Sequence, residues 1–344
     1  MKIEPSLSNL IQGRTLPEGE AYSLFLEIFK GHIPEAAVKA ILLLLGAKGE
    51  SSTELSGCLK ALRELEKPEK LSWPKVIDTC GTGGDAKASA NISTLSAFVI
   101  AGAGAQVAKH GNRSISSKCG SSDLMEALGI RLDAPATQMK KAIRECGLGY
   151  FHAPYYHPVF SRMQPLRKKL KTRTLFNMLG PLANPYKLKY QMIGVSRAEW
   201  VPLFAEVLRK NKIQSGLVIH SRDGMDEISS EVPTQAAWVK QGRIRAEWIK
   251  PKAILHPEAK PKNLRRTLKI NSIAKNKQIA LAVLQNKLYG PIRDTVLINA
   301  AAGLVTLGKV KNLKEGLRRA DQSLVSGRAY RVYRELKRIS RQKS

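Results

Sequence analysis

Apolar residues in the first seventy positions recur at every third or fourth residue, which is the spacing of amphipathic helices. Capping boxes at 15–18 and 51–54 predict the starts of two of these helices. Between them, Pro34 and Glu35 predict the start of another helix, which Gly46 is expected to end. A charged segment at 67–70 then predicts a linker. The pattern therefore indicates a small N-terminal helical domain over residues 1–72.

From residue 73 onward, short apolar runs alternate with longer apolar helices. Strands are predicted at 76–80, 106–108 and 216–220, and helices at 95–103, 124–128 and 137–146. Strands that alternate with helices indicate an α/β layer structure. We therefore expect an α/β domain over residues 73–344, with residues about 168–190 packing against the helical domain. A functional site is expected between the two domains.

The composition limits the possible function classes. The 344 residues include 57 Lys and Arg against 28 Asp and Glu, a formal charge of +29 that favours contact with polyanions. Apolar residues at 43 % exclude wholesale disorder, and aromatic residues at 6 % are sparse for a protein that stacks single-stranded bases. The four cysteines form no CxxC pair, which argues against a zinc or disulfide framework and for a reducing compartment. Without a predicted signal peptide or membrane span, we expect a cytoplasmic protein.

The glycine-rich string at 81–85 follows a predicted strand. Its three glycines let backbone N–H groups converge on an anion, so phosphate or pyrophosphate is the expected guest, with a tight turn as the alternative. Asp85 would hold a metal or a sugar hydroxyl rather than a phosphate. Shortly afterwards, the string 91–94 precedes an apolar helix, where hydroxyls are either ordinary helix caps or phosphate ligands.

Residues 109–123 form the densest polar segment of the chain. They hold three cationic side chains, a histidine, five hydroxyls and an amide between a predicted strand and a predicted helix. A loop with so many hydrogen-bond donors is expected to bind a ligand, although a solvated surface loop is the alternative.

Two later segments complete the candidate chemistry. Arg167 is predicted in a helix, where it is either a surface charge or a fork for a carboxylate, and 173–185 is predicted to be a rigid loop. Asp226 and Glu227 follow a predicted strand, and paired carboxylates indicate a Mg²⁺ site as readily as an acidic turn. An anion cradle, a carboxylate pair and a basic loop suit transfer of a group from a pyrophosphorylated donor.

Taken together, these strings resemble the anthranilate phosphoribosyltransferases of tryptophan biosynthesis. The family hallmarks occur in order at 81–85, 91–94, 109–123, 173–185 and 226–227, and 109–129 is highly specific. The implied fold is a small N-terminal helical domain hinged to a larger α/β domain with a central, mostly parallel sheet flanked by helices. The implied assembly is a homodimer. The chain departs from the usual pattern at Ala86, Ser89-Ala90, Cys119, Ser122 and His220-Ser221.

The resemblance also implies ligands and roles. Phosphoribosyl pyrophosphate (PRPP) would contact Gly81, Gly84, Asp85, Ser89, Asn91, Ile92, Ser93, Thr94, Lys109, His110, Gly111, Asn112, Arg113, Ser114, Ile115, Ser116, Ser117 and Ser121. Anthranilate would contact Gly81, Asn112 and Arg167. Mg²⁺ would be held by Ser93, Asp226 and Glu227. His110 is the one candidate for orienting the acceptor or relaying a proton.

Two other functions remain as alternatives. A nucleoside phosphorylase shares the expected fold, but it would bind phosphate rather than pyrophosphate and should carry a different glycine loop. A nucleic-acid-binding relative is suggested by residues 309–344, which carry twelve Lys and Arg against three Asp and Glu, a charge of +9. An arginine stripe there, from Arg328 to Arg341, lies opposite apolar residues, which also fits a solvated face on a core-packed helix. We expect weak, non-specific polyanion binding from this surface and no membrane contact.

Overall fold

The computed structural model describes residues 3–83, 90–113, 119–255 and 272–342. Four helices come first: α1 (Glu4–Ile11), α2 (Glu18–Lys30), α3 (Glu35–Lys48) and α4 (Ser52–Glu66). The strands are β1 (Val76–Asp78), β2 (Gln106–Gly111), β3 (Leu148–His152), β4 (Tyr190–Gly194), β5 (Ser215–Ser221), β6 (Thr234–Lys240) and β7 (Arg243–Ile249). The remaining helices are α5 (Ile92–Gly102), α6 (Ser121–Ala127), α7 (Ala136–Cys146), α8 (Ala153–Tyr156), α9 (Pro158–Leu170), α10 (Leu175–Leu179), α11 (Trp200–Lys210), α12 (Ile273–Leu284), α13 (Pro291–Thr306), α14 (Leu313–Val325) and α15 (Arg328–Ser340), with 3₁₀ turns at Gly180–Leu182 and Pro251–Ala253.

The seven strands form one sheet in the order β3-β2-β1-β4-β5-β6-β7. Strands β1 to β5 pair in parallel, whereas β6 and β7 are antiparallel. The expected fold class, a helical domain beside a mostly parallel α/β domain, is confirmed. None of the described helices combines the length and apolarity needed to cross a bilayer.

Two hydrophobic cores lie on opposite faces of the sheet. One joins the N-terminal helices to α9, α10, α11 and sheet residues such as Ile193 and Val218. The other joins α5, α6, α7 and α12 to α15 to sheet residues such as Val107 and Leu217. Phe176 of α10 packs edge-on against Phe25 of α2, so part of segment 168–190 lies in the core of the helical domain. The boundary at residues 72 and 73 stays a prediction.

Of the two capping boxes predicted from the sequence, one is confirmed and the other is wrong. Ser51 and Glu54 form the predicted capping box, with the Glu54 amide donating to Ser51 Oγ at 3.2 Å. The predicted box at 15–18 does not form, because α2 begins at Glu18 after Pro17 and has no side-chain cap. Instead, the Leu16 amide donates to Glu54 Oε1 of α4 at 3.0 Å. A tertiary contact therefore replaces the local cap.

Several predicted boundaries also differ from the structure, including β1, which ends at Asp78 rather than at residue 80. Helix α3 continues through Gly46, and α5 begins at Ile92 rather than at residue 95. Strand β2 extends to Gly111, because its last residues pair with β3 as far as the Gly111 to His152 register. The segment 173–185 is not a plain loop, since it contains α10 and a 3₁₀ turn.

Candidate active site

The site lies at the carboxyl ends of the parallel strands, where the strand order reverses between β1 and β4. Open α/β sheets bind ligands at this switch point, because the loops after the two strands diverge there. Here the two loops are joined directly. The Thr82 amide donates to the Gly194 carbonyl at 2.8 Å, and the Ser196 amide donates to Thr82 Oγ1 at 3.1 Å.

Glycines allow the Asp226 loop to approach these strand ends. A Cβ at Gly194 would lie 1.6 Å from the Asp226 carbonyl oxygen, and a Cβ at Gly81 would lie 2.8 Å from Asp226 Oδ2. The Gly83 amide donates to Asp226 Oδ2 at 3.0 Å. Only glycine fits at position 194, because a side chain there would collide with the backbone of Asp226. This close approach places the Asp226 carboxylate beside the predicted anion cradle.

Arg173 holds the same cradle from the other side. Its guanidinium donates to the Gly83 carbonyl at 3.0 Å and to Ser196 Oγ at 2.7 Å. It also lies over the Trp200 ring, 5.6 Å from the ring centroid. The predicted segment 173–185 therefore supports the glycine-rich loop.

Lys109 is the buried cation of the site. Its side chain is 1 % exposed, and Nζ donates to the Thr79 carbonyl at 3.2 Å and to Ser93 Oγ at 3.3 Å. Burial lowers the pKa of Lys109, while Asp226, Glu227 and other nearby acidic groups oppose that shift. The ammonium thus lies within the field of the carboxylates that the sequence analysis assigned to Mg²⁺.

Asp78, at the end of β1, is buried close to Lys109. Its carboxylate accepts hydrogen bonds from the His110 amide at 3.1 Å and from Asn184 Nδ2 at 2.9 Å. Burial raises the pKa of Asp78 to about 6, although Lys109 and both hydrogen bonds act in the opposite direction. Asn184 also donates to the Ala108 carbonyl, so it ties segment 173–185 to β1 and β2.

The three residues predicted to hold Mg²⁺ line one cleft. Ser93 comes from α5, and Asp226 and Glu227 come from the loop after β5. The lining also includes Thr79, Gly81, Ser96, Met192, Gly194, Ile219 and Asn299. No group of three His, Cys, Asp or Glu side chains that could hold a metal occurs among the residues that the structure describes. Two carboxylates and a hydroxyl fit Mg²⁺, which keeps several waters and binds through few protein ligands.

The start of α5 differs in detail from the expected caps. Ser93 and Thr94 lie inside the first turn, and the N-cap residue Asn91 makes no side-chain cap. Its amide instead donates to the Gly120 carbonyl at 2.7 Å, and its Oδ1 accepts from Asn276 at 3.2 Å. Thr94 Oγ1 is buried without a hydrogen-bond partner within the described ranges. Asn91 therefore joins the helix to neighbouring segments, and Thr94 retains an unused hydroxyl.

Two members of the predicted donor loop are engaged by other parts of the protein. Arg113 donates to Asp123 at 2.9 Å and to Glu126 at 2.8 Å, which draws its side chain toward α6. Ser121 Oγ lies 3.0 Å from Tyr150 Oη and donates to the Asn112 carbonyl at 3.3 Å. The structure thus places the main chain of residue 112 beside the start of α6. Seven predicted donor contacts, namely Gly84, Asp85, Ser89, Ser114, Ile115, Ser116 and Ser117, lie outside the described residues.

Arg167 is half-buried on α9, near the end of that helix. Burial lowers the pKa of its guanidinium. Within the described part of the chain, Arg167 has no hydrogen bond or ion pair, and none joins it to Gly81 or Asn112. A half-buried guanidinium without a protein partner favours an anionic ligand.

Two residues that the sequence did not mark, His157 and Glu66, form a hydrogen-bonded series with His110. His110 Nε2 lies 3.1 Å from Nε2 of His157, and His157 Nδ1 lies 2.6 Å from Glu66 Oε2. His110 Nδ1 lies 3.2 Å from the Gly180 carbonyl oxygen. No local motif marks Glu66 or His157, because 91 positions separate them along the chain.

Similar proteins share both the domain composition and the fold. Residues 5–65 match the helical bundle domain of a glycosyl transferase family, and residues 73–330 match the a/b domain of a glycosyl transferase family. An anthranilate phosphoribosyltransferase from Desulfosudis oleivorans is 39 % identical over 331 residues, covering 96 % of each chain. The crystal structure of the anthranilate phosphoribosyltransferase from Thermus thermophilus matches with a TM-score of 0.89 at 35 % identity, covering 98 % of this chain and 99 % of that one.

A more distant relative shares the fold. The anthranilate phosphoribosyltransferase from Saccharomyces cerevisiae, in complex with PRPP and Mg, matches with a TM-score of 0.86 at 22 % identity. The match covers 97 % of this chain and 96 % of that one.

Proposed function

The chain belongs to the glycosyl transferase family described by these two domains, and on that premise we propose that it transfers the phosphoribosyl group of PRPP to the amine of anthranilate. The products are N-(5-phosphoribosyl)anthranilate and pyrophosphate, and the reaction belongs to tryptophan biosynthesis. Relatives near 39 % identity over almost the whole chain support this activity rather than a nucleoside phosphorylase or a nucleic-acid-binding function.

One observation carries the proposal. At the switch point of the sheet, Gly81 of the glycine-rich loop and the acids Asp226 and Glu227 line a single cleft. The buried Lys109 donates to Ser93 Oγ on the wall of the same cleft. Backbone N–H groups and a cation suit the phosphates of a donor, and the carboxylates suit the metal that accompanies pyrophosphate. A protein devoted to binding nucleic acid would not require this combination.

The metal of the proposed reaction is Mg²⁺, which would be held by Asp226, Glu227 and the Ser93 hydroxyl. When bound, Mg²⁺ neutralises charge that grows on the departing pyrophosphate. The Gly83 amide already donates to Asp226 Oδ2, so the chain itself orients this carboxylate. Lys109 donates to Ser93 Oγ and so places the hydroxyl in the same cleft.

For the donor we propose the contacts that the family resemblance implies. Gly81 would shape the cradle together with Gly84, and residues 91–94 lie at the start of α5. Residues 109–111 end β2, residues 112–117 come next in the sequence, and Ser121 begins α6. The proposed role of Lys109 is to attract phosphate charge, and the role of Asp85 is to hold a sugar hydroxyl or the metal. Fixed donors aimed at a leaving group stabilise the transition state because they do not reorganise during the reaction.

The acceptor is proposed to bind beside Arg167, Gly81 and Asn112. The guanidinium of Arg167, which has no partner among the residues that the structure describes, would hold the anthranilate carboxylate by a bidentate pair. The aryl amine is neutral at pH 7 and attacks the ribose C1 without first losing a proton to a strong base. Holding the amine in line with C1 supplies part of the rate enhancement, on the order of 7–11 kcal/mol in the best intramolecular models.

The proposal also covers the oligomeric state of the protein, its compartment and its contact with polyanions. We expect a homodimer that works in the cytoplasm and makes no membrane contact. The arginine stripe of α15 is exposed, whereas Ala329, Val332, Leu336 and Ile339 on the opposite side are buried. Its exposed charge supports weak, salt-sensitive polyanion binding as a secondary property.

The metal assignment is tested with Asp226→Asn combined with Glu227→Gln. We expect at least a hundredfold loss of Mg²⁺-dependent turnover, measured as the decay of anthranilate fluorescence with PRPP, because the metal loses both charged ligands. The melting temperature should change little, since the two amides keep the size of the side chains they replace.

A matched control is Asp133→Asn combined with Glu199→Gln, which removes two exposed acidic charges elsewhere. This control should retain wild-type turnover and Mg²⁺ dependence. Wild-type turnover in the Asp226 and Glu227 double variant would show that these residues do not hold the metal. Absence of transfer in the wild-type protein would remove the proposed function itself.

A further inference from the structure

A chain of buried polar groups crosses from the helical domain to the sheet. It runs from Glu66 Oε2 through both nitrogens of His157 and both nitrogens of His110 to the Gly180 carbonyl oxygen, with separations of 2.6, 3.1 and 3.2 Å. His110 is 2 % exposed and His157 is 3 % exposed, so water does not complete these contacts. The chain joins the end of α4, the start of α9, strand β2 and the 3₁₀ turn.

The three hydrogen bonds of this polar chain require more protons than its neutral imidazoles and the carboxylate supply. Each of the three contacts requires one proton between its two heavy atoms. Two neutral imidazoles supply two protons, and a carboxylate supplies none. The three hydrogen bonds therefore form together only when the chain holds one additional proton.

The environment determines where that additional proton lies. The Gly180 carbonyl accepts only, so His110 donates from Nδ1 and accepts at Nε2 from His157. Burial, with the neighbouring His157, lowers the pKa of His110 well below its ordinary value, so His110 stays neutral. The additional proton then lies between His157 Nδ1 and Glu66 Oε2, where the carboxylate stabilises the positive charge. The other charged or titratable groups near His110 are Asp78, which accepts a hydrogen bond from the His110 amide, and Lys109 and His152, whose charges act on the pKa of His110.

We propose that Glu66 is a positioning residue whose shared proton fixes His157 and His110 beneath the acceptor side of the site. The assignment rests on the proposed function. His157 is the N-cap residue of α9, the helix that carries Arg167. His110 lies two residues before Asn112, the other polar residue assigned to the acceptor. One proton thus orders both segments that are proposed to bind anthranilate.

A substitution of Glu66 can remove the additional proton while keeping the geometry of the three hydrogen bonds. In Glu66→Gln, the amide can donate to a neutral His157 Nδ1, after which His157 donates to His110 and His110 donates to Gly180. All three hydrogen bonds then form with neutral groups and without the additional proton. In Glu66→Ala, the contact with His157 is lost altogether. The exposed Glu64 on the same helix provides a matched control, Glu64→Gln.

The experiment measures the KM for anthranilate and for PRPP at pH 7 in these four proteins. In Glu66→Ala, the KM for anthranilate should rise about tenfold, because the contact that orders His157 is lost. In Glu66→Gln and in Glu64→Gln it should stay near the wild-type value, because all three hydrogen bonds still form. The KM for PRPP should change little in any of them.

An independent readout does not require activity. With ¹⁵N-labelled histidine, a proton resonance bonded to His157 Nδ1 should appear in the wild type and be absent in Glu66→Gln. Such a resonance in Glu66→Gln, or no such resonance in the wild type, would overturn the assignment of the proton. Equal defects in Glu66→Gln and Glu66→Ala would overturn the positioning role. If wild-type protein transfers nothing to anthranilate but shows the resonance, the proposed function fails and the proton assignment stands.

Discussion

Lys109 and His110 are consecutive residues of β2, yet their side chains serve two different buried clusters. Neighbouring residues of a strand point to opposite faces of the sheet. Lys109 therefore contacts Thr79 and Ser93 on the side of α5, whereas His110 contacts Gly180 and His157 on the side of the helical domain. One strand end thus supplies the donor side and the acceptor side of the site.

The two clusters differ in how their charge is balanced. Around Lys109, the charges of Asp78, Asp226 and Glu227 oppose the lowering of its pKa by burial. Around the His110 imidazole, the contacts come from the Gly180 carbonyl and from His157, and one additional proton shared with Glu66 completes the hydrogen bonds. The first cluster is built within the α/β domain, whereas the second depends on the contact between the two domains.

Lys109→Met should have the largest effect, because it removes the only Lys, Arg, Asp or Glu side chain of β2, which donates to Ser93 Oγ on the wall of the cleft. We expect kcat/KM for PRPP to fall by about 10²- to 10³-fold, as is typical when one fixed donor to a developing charge is lost. Steady-state kinetics with varied PRPP would measure this. The exposed Lys75→Met, just before β1, is the control and should behave as wild type. A mild effect on PRPP with a large effect on anthranilate would reverse the assignment of the two faces.

Asp78→Asn should change the pH dependence of stability. Because the folded pKa of about 6 lies above the ordinary value of 3.8, the folded state retains a proton that the unfolded state releases. This carboxyl therefore makes the free energy of unfolding fall as pH rises from about 4 to 6, by about 3 kcal/mol. Above that range its contribution is constant.

The check is denaturant unfolding of wild type and Asp78→Asn at several pH values between 4 and 7. Subtracting the two curves removes the titration of all other groups, so the difference should isolate the slope of Asp78. Parallel curves would show that Asp78 has the same pKa folded and unfolded. The cluster around Lys109 would then be charged throughout this pH range.

Arg167→Ala should have the smallest of these effects and should act on the acceptor alone. Loss of a charge-assisted pair costs about 1.5–3 kcal/mol, so the KM for anthranilate should rise by roughly ten- to a hundredfold. The KM for PRPP should stay near its wild-type value. Arg162→Ala, on the exposed side of the same helix, is the control. Equal losses toward both substrates would place Arg167 outside the acceptor site.

Several features of the site could be predicted because their signals are local. The segment 81–83 follows β1 as expected, and Asp226 and Glu227 follow β5. The capping box at Ser51 and the exposed arginine stripe of α15 also follow from spacing alone. Such patterns depend on backbone geometry and helical or strand periodicity, which neighbouring residues largely determine.

Other features depend on segments far apart in the chain. Strand β2 is longer than predicted because β3 pairs with its polar end. The approach of Asp226 to Gly194 likewise requires the packing of the β5 loop against the end of β4. In both cases a tertiary partner satisfies backbone or polar groups that the local sequence leaves open.

The sequence by itself determined that helices come first and that strands then alternate with helices. It also determined the anion-binding composition of the loops and the family resemblance, because these features reside in short, contiguous strings. Only the tertiary structure decided that Glu66 meets His157 and that Lys109 faces Ser93 while His110 faces Gly180. Burial and hydrogen bonding change the charge of a group according to what surrounds it. Those surroundings come from residues far apart in the chain, such as Glu66 and His157, which are separated by 91 positions, and their proximity is a property of the packed fold.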